Sequence, residues 1–150
     1  MISEETRTHS GLHVVKGAVE KVLGAKKTAS VYVRGRHGRL TVQFERKPSD
    51  EEMARIERAA NEKVAEGSEV LEFEMEREEA EGHFGDAIYD LFPLPPAAHR
   101  LRVVRIPDWN INCCNERHVD NTLQVGRMKV GKGRFRNSKR ELEIEFDLVD

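Results

Sequence analysis

The sequence predicts an α+β fold: a single domain over residues 1–150, in which helices cover a largely antiparallel sheet. Two periodicities carry this prediction. In some segments apolar residues recur every three or four positions, as on one face of a helix, and in others they alternate with charged residues, as in a half-buried strand. No repeat or low-complexity linker divides the chain, and its length is sufficient for one hydrophobic core.

The N-terminal third is predicted to form a helix followed by a β-hairpin. The helix covers residues 6–23, where apolar side chains share one face, and Gly24 ends it. Two β-rich segments follow, over residues 29–34 and 40–46. They flank residues 35–38, whose two glycines indicate a turn between antiparallel strands.

A second helix and a half-buried strand are predicted for the middle of the chain. Ser49 and Glu52 have the spacing of a capping box at the start of the helix, and Gly67 ends it. Residues 70–76 alternate apolar and acidic side chains, so this strand should have one buried and one acidic face. A short helix over residues 77–84 is expected to follow.

Three further strands are predicted for the last third, over residues 101–106, 125–130 and 141–148. The last of these has the clearest alternation of apolar and charged side chains. A proline-rich connection precedes the three strands and contains Pro93, Pro95 and Pro96.

The composition excludes membrane and disulfide-rich classes. No apolar run approaches the roughly 20 residues of a membrane helix, and the N-terminus lacks the pattern of a signal peptide. We therefore expect a cytoplasmic protein with no membrane association and no obligate protein partner. The two cysteines, Cys113 and Cys114, are adjacent, which disfavours a bridge between them and leaves a thiol available to a metal.

Two pairs of metal-binding side chains stand out. His9 and His13 are four residues apart on the predicted first helix, so their imidazoles should lie on one face. Cys114 and His118 have the same spacing, and thiolate and imidazole are ligands that zinc prefers. The four residues therefore predict a Zn²⁺ site between the first helix and the C-terminal half of the chain.

Each pair also has a simpler interpretation. An isolated histidine pair is more often structural than metal-binding, and Ser10 stands where the HExxH motif of zinc proteases has its glutamate. Cys114 by itself could be an ordinary buried cysteine. Cys113 is the rival thiol, but it is not four residues from His118, so we expect it to be packed rather than bound to metal.

The two pairs resemble the two-part zinc motif of the alanyl-tRNA synthetase editing domain and of its freestanding relatives, the AlaX proteins. The resemblance rests on His9-Ser10-Gly11-Leu12-His13 and Cys114-Asn115-Glu116-Arg117-His118. Asn121-Thr122-Leu123-Gln124-Val125-Gly126 is also similar to the family's Asn-Thr-Gly-Glu-Ile-Gly. The chain departs from the family where Leu12 replaces a common threonine, residues 115–117 replace Gly-Gly-Thr, and Leu123 replaces a glycine.

The resemblance implies a zinc-dependent hydrolase that edits in trans, removing a wrong amino acid from tRNA(Ala). The error would be chiefly serine, with glycine as the other candidate, because a pocket sized for alanine discriminates poorly against both. The zinc ion would hold the substrate's amino group or polarise a water molecule. Thr28 is the candidate for the amino-acid pocket, with Ser30 second, and the alternative is that both are ordinary strand residues.

A tRNA substrate also requires cationic contacts to phosphates. Residues 127–140 contain no acid, and five of their basic residues are candidates for tRNA binding: Lys132, Arg134, Arg136, Lys139 and Arg140. Without the metal motif, a solvated basic face would be the better interpretation. Two other functions stay open, a zinc-stabilised tRNA-binding module without turnover and a small-molecule metallohydrolase.

Overall fold

The strands form two antiparallel sheets in this computed structural model, which describes residues 1–92 and 94–150. The α+β class predicted from the sequence is confirmed, although the strands do not join into one sheet. The first sheet has the order β1-β2-β7-β6, with β1 Thr28–Arg34, β2 His37–Gln43, β6 Arg127–Arg136 and β7 Glu141–Val149. The second has the order β3-β4-β5, with β3 Leu71–Glu76, β4 Arg100–Ile106 and β5 Asn110–Cys113.

Helix α1, Glu4–Leu23, precedes the first strand, while α2, Asp50–Glu66, and α3, Arg77–Phe84, lie between strands. Short 3-10 helices follow at Gly85–Ile88 and Thr122–Gln124. The predicted proline-rich connection lies between the first of these and β4, and its Pro93 lies outside the described residues. Within the described ranges, no helix combines the length and the apolar composition needed to cross a membrane.

The predicted helix ends agree with the capping interactions. Ser49 and Glu52 form a complete capping box, in which each side chain accepts a hydrogen bond from the other residue's backbone N–H. Gly67 ends α2 in the left-handed conformation, with φ 71°. The first helix begins at Glu4, two residues before its predicted start, because the Ser3 side chain accepts a hydrogen bond from the Thr6 N–H.

The strands agree less well with the sequence prediction. β5 was not predicted; it is four residues long, and its pairing partner β4 lies across a tight turn. β2 starts at His37 rather than residue 40, because Arg34 pairs with His37 directly across a two-residue turn. β6 extends through the basic residues to Arg136, well beyond the predicted end at residue 130, since it pairs with β7 over nearly its full length.

Helix α1 occupies the centre of the molecule. It contacts β1 and β2 of the first sheet, β5 of the second sheet, and helix α2. Its side chains are therefore buried on more than one face, including Val14, Val15 and Ala18, which are fully buried. A smaller apolar cluster lies between α3 and the second sheet. Polar residues of α1 that face the second sheet are consequently held in a largely enclosed environment.

Candidate metal centre

Four side chains converge between α1 and the loop that follows β5. His9, His13, Cys114 and His118 each offer one ligand atom, and these atoms all lie within 4.8 Å of one another. The Nε2 atom of His9 is 3.1 Å from the Sγ atom of Cys114, and the Nε2 atoms of His13 and His118 are 3.0 Å apart. Three imidazoles and one thiol are nitrogen and sulfur donors of the kind that bind transition-metal ions. The cluster could therefore hold a metal ion.

The two pairs reach the centre in different ways. His9 and His13 lie one turn apart on α1, as their spacing predicts. Cys114 and His118 lie on an irregular loop, so their spacing of four residues does not reflect a helix. Hydrogen bonds tie this loop down: the Ser10 Oγ accepts from the Val119 N–H, and the Arg102 carbonyl accepts from the Cys114 N–H.

Groups outside the cluster orient two of the imidazoles. The Asn110 Oδ1 lies 3.1 Å from the His13 Nδ1, so that nitrogen donates a hydrogen and the Nε2 carries a lone pair. The Glu72 Oε1 lies 3.3 Å from the His118 Nδ1 and accepts a hydrogen bond from the His118 backbone N–H. The side-chain contact of Glu72 is electrostatic rather than a well-aligned hydrogen bond. Both Nε2 atoms are thus free to face a cation.

Burial sets the protonation states of the cluster. Loss of solvation lowers the pKa of His9, lowers that of His13 well below its usual range, and lowers that of His118 to about 4. The imidazoles are therefore neutral at pH 7, the form that binds metal. Burial raises the pKa of the Cys114 thiol, so ionisation of this thiol needs a compensating positive charge nearby. A metal ion between the four groups would supply it.

Cys113 points away from this cluster. It pairs with Val103 on β4 and packs against the smaller apolar cluster beneath the second sheet. Cys113 is the last residue of β5, whereas Cys114 belongs to the loop that follows, which explains why the adjacent cysteines have different surroundings. Burial raises the pKa of the Cys113 thiol to about 11. Cys114, not Cys113, contributes to the group of ligand atoms.

The two candidates for the amino-acid pocket differ in exposure. Thr28 is 1% exposed, and its Oγ1 has no hydrogen-bond partner in the described part of the chain. Ser30 is exposed. The Thr28 carbonyl accepts a hydrogen bond from the Leu91 N–H, which fixes the start of β1 to the segment after the first 3-10 helix. A buried hydroxyl without a partner is costly, so Thr28 stands out among the strand residues.

A second polar cluster, which was not predicted from the sequence, joins this segment to α1. The Lys16 Nζ lies 2.8 Å from the Asp90 Oδ1 and also donates to the Asn112 side chain. Asn112 in turn donates to Asp90 and to the Ile88 carbonyl. Only 12% of the Lys16 side chain is exposed, and burial lowers its pKa. One sequence signal was present: Lys16 follows His13 by one helical turn.

The five candidate tRNA-binding residues are all exposed, but they do not form an acid-free surface. Strand β7 places acidic residues beside the basic ones of β6. Arg134 pairs in register with Glu143, and the Arg136 Nε lies 2.9 Å from the Glu143 Oε2. The acid-free run in the sequence is therefore interleaved with carboxylates from the neighbouring strand. Lys132 lies at an irregularity in the β6–β7 pairing.

A cavity of about 460 Å³ adjoins the metal cluster, and we name it the His9 cavity. It lies between the start of α1, the middle of β1 and the loop after Cys114. Its lining residues are Glu5, Thr6, His9, Val31, Tyr32, Val33, Glu116 and Arg117. No sequence pattern indicates this cavity, because its three walls come from separate parts of the chain.

Comparison with known proteins relates the chain to alanine–tRNA ligases. The alanine–tRNA ligase of Methanopyrus kandleri is 37% identical over 138 residues, which are 88% of this chain and 14% of the ligase. Those of Saccharolobus islandicus and Pyrococcus abyssi are each 34% identical, over 131 and 128 residues. The chain thus spans about one seventh (14%) of the length of these relatives. No protein-family model matches the chain.

Proposed function

We propose that this chain, a homologue of one segment of alanine–tRNA ligase, is a zinc-dependent deacylase that acts in trans on mischarged tRNA(Ala), chiefly on tRNA carrying serine. The observation that carries the proposal is the cluster of His9, His13, Cys114 and His118, whose ligand atoms lie within 4.8 Å of one another. The homology is the basis for assigning tRNA(Ala) as the substrate. The cluster is the candidate site at which the ester is hydrolysed. Such an activity belongs to translation fidelity and would operate in the cytoplasm.

Zinc is the metal we assign to the cluster. Its donor set of three imidazoles and one thiol matches the ligands that zinc prefers, and magnesium or calcium would require oxygen donors. When bound, the ion would supply a fixed positive charge and Lewis acidity. Because four protein ligands would complete the coordination of the ion, no position would remain for a water molecule, and this arrangement favours a positioning role over activation of water. Asn110 and Glu72 would hold His13 and His118 in their ligating orientation.

Thr28 supports serine as the preferred error. Its Oγ1 is buried and has no partner among the described residues, so a serine hydroxyl could satisfy it. Alanine has no hydroxyl to offer, and a correctly charged tRNA would leave Thr28 unsatisfied. Glycine lacks the hydroxyl too, and its removal should depend less on Thr28. Lys16, Asp90 and Asn112 lie in the elements between Thr28 and the metal cluster, which makes them positioning residues in this proposal.

The experiment that tests the function is release of serine from tRNA(Ala) charged with serine. Native protein loaded with one equivalent of zinc should release serine. Cys114→Ala protein and chelator-treated native protein should not, provided that circular dichroism shows each sample to be folded. Cys113→Ala is the matched control, because it removes the neighbouring thiol without touching the cluster. A folded, zinc-loaded native protein that releases no serine would contradict the proposal.

One observation favours a second candidate, a zinc-stabilised tRNA-binding module without turnover. His13 and His118 are buried and the site has four protein ligands, both of which are common in structural zinc sites. In that case zinc should raise the midpoint of thermal unfolding, tRNA should bind with a strong dependence on salt, and no serine should be released.

A further inference from the structure

The His9 cavity has a feature that the metal cluster does not explain. Its wall includes two of the most exposed large apolar side chains of the described chain, Val31 at 49% and Tyr32 at 41%. Both belong to β1, an edge strand of the first sheet. Apolar side chains on an exposed edge strand promote self-association, and such exposed apolar patches often mark binding sites.

The Tyr32 ring is held in place from one side. Tyr32 pairs with Arg39 across the β1–β2 hairpin, and the Arg39 guanidinium lies 5.1 Å from the ring centroid. This cation–π contact restricts the ring and leaves part of its surface to the solvent. A partly exposed and restrained aromatic ring is a suitable platform for a planar ligand, because stacking on it costs little conformational entropy.

We propose that the His9 cavity binds the terminal adenosine of the aminoacylated RNA, with its base stacked on Tyr32. This inference rests on the proposed function. His9 belongs both to the metal cluster and to the cavity wall, so a ligand in the cavity lies next to the reacting centre. The scissile ester is attached to the ribose of the terminal nucleoside. The base is attached to the same ribose, so it should lie beside the cluster and not within it. The cavity adjoins the cluster and has a volume of about 460 Å³, within the usual range for ligand pockets.

The charges of the cavity fit a nucleoside rather than a phosphate-rich ligand. Arg117 contributes a cation, whereas Glu5 and Glu116 contribute carboxylates. Carboxylates would repel several phosphates, but they can accept hydrogen bonds from ribose hydroxyls and from the exocyclic amine of adenine. The cavity thus accommodates the end of an RNA strand, where only one phosphate is near, while phosphates further along the chain need a different surface.

Binding of a stable analogue provides the direct test. In 3′-(L-serylamino)-3′-deoxyadenosine an amide replaces the ester, so calorimetry can measure its dissociation constant for zinc-loaded protein without turnover. Tyr32→Ala should weaken binding by roughly 5- to 100-fold, the loss expected for one stacked base. Tyr32→Phe should bind like native protein, because it keeps the ring. Leu123→Ala, which removes an exposed apolar side chain elsewhere, should have no effect.

The same variants separate this inference from the proposed function. If native protein releases serine but Tyr32→Ala has unchanged analogue binding and unchanged KM, the adenosine site is wrong and the deacylase stands. If native protein binds the analogue in a Tyr32-dependent way but releases no serine, the deacylase is wrong and the adenosine site stands. Native protein that binds no analogue overturns the inference. So does a dimer, seen by sedimentation, that Tyr32→Ala dissociates and that excludes the analogue.

Discussion

The Nε2 atoms of His13 and His118 face each other at 3.0 Å, although the two residues are 105 positions apart in the sequence. The Nδ1 atom of His13 is directed to Asn110, and that of His118 to Glu72. With hydrogens on both Nδ1 atoms, two nitrogen lone pairs would point at each other in a buried space. This arrangement is unfavourable without a cation between them, which makes metal content the first property to measure.

Metal content should depend on one cysteine and not on its neighbour. We expect one zinc ion per native chain by mass spectrometry under non-denaturing conditions. Cys114→Ala should lose most of this zinc at micromolar protein, whereas Cys113→Ala should keep it, because only the Cys114 thiol lies in the cluster. Equal zinc loss in both variants would mean that Cys113 is a ligand too.

Replacement of Thr28 by valine should separate stability from activity. Valine has nearly the same shape and removes a buried hydroxyl that no described residue hydrogen-bonds, so unfolding in urea should show unchanged or higher stability, by up to about 1–3 kcal/mol. Serine release should fall by roughly 5- to 30-fold, since about 1–2 kcal/mol of hydrogen bonding to the substrate is lost.

Glycine release from tRNA(Ala) is the control for this variant, because glycine has no hydroxyl to bind. It should change by less than about twofold. An equal fall for both amino acids would show that Thr28 shapes the pocket without recognising serine.

Substitutions of two neighbouring residues on the basic surface should have opposite effects on tRNA binding. Arg134→Ala should weaken tRNA binding and lower the dependence of log Kd on log salt by about one phosphate contact. Glu143→Gln should strengthen tRNA binding, because its carboxylate lies among the basic residues and pairs with Arg136. Neither variant should change binding of the seryl-adenosine amide, which has no phosphate. Unchanged tRNA binding in both would move the tRNA contact to another face.

Cys113 should contribute to alkaline unfolding. Burial raises its pKa from 9.0 in the unfolded chain to about 11 in the folded protein. Between these values the folded protein holds a proton that the unfolded chain has lost, so the free energy of unfolding falls as pH rises. The contribution of the neutral thiol is complete below pH 9 and is lost as pH approaches 11.

Urea unfolding of metal-free native protein and of Cys113→Ala at pH 8, 9 and 10 checks this sign. The decline with pH should be shallower in the variant, and other alkaline groups cancel because both proteins contain them. A variant with an equal or steeper decline would assign the effect to another group.

Gly17 should be intolerant of a side chain although it lies inside a helix. A Cβ atom there would lie 2.7 Å from the Cε2 atom of Trp109, whose Nε1 donates a hydrogen bond to the Val14 carbonyl. Gly17→Ala should therefore displace the ring and destabilise the fold by about 1–3 kcal/mol. The emission of Trp109, the only tryptophan, should shift to longer wavelength.

Gly82→Ala is the matched control for this substitution. Gly82 is also helical, but beyond its own helix turn and chain neighbours no atom of the described residues lies within 4 Å of its Cβ position. Alanine should stabilise the protein there by about 0.5–1 kcal/mol, through helix propensity alone. Destabilisation of both variants to the same extent would exclude the contact with Trp109 as the cause.

Local signals explain what the sequence predicted well. The ends of α2 depend on Ser49, Glu52 and Gly67, which act within a few residues of themselves. The spacing of His9 and His13 likewise reports on a single helix. These features could be identified from sequence because the interactions that create them are short in range.

The remaining features depend on contacts between distant segments. β5 forms only because β4 is beside it, and Glu143 lies beside Arg134 only because β7 pairs with β6. The contact of Lys16 with Asp90 likewise joins residues 74 positions apart. The periodicity of apolar residues and the spacing of motifs do not reveal such pairings. The orientation of the metal-binding side chains and the carboxylates within the basic surface could therefore be identified only from the structure.

The metal cluster links α1 to the loop after β5, and this link affects folding. An ion bound by His9, His13, Cys114 and His118 would act as a cross-link that closes a chain loop of about 100 residues. Closing so long a loop removes more freedom from the unfolded chain than a local site would, and the affinity for the ion adds directly to the free energy of unfolding. During synthesis this cross-link cannot form until His118 has left the ribosome. Until then α1 relies on its other contacts, among them the hydrogen bond between His13 and Asn110 and the ion pair between Lys16 and Asp90, to hold its two imidazoles in place.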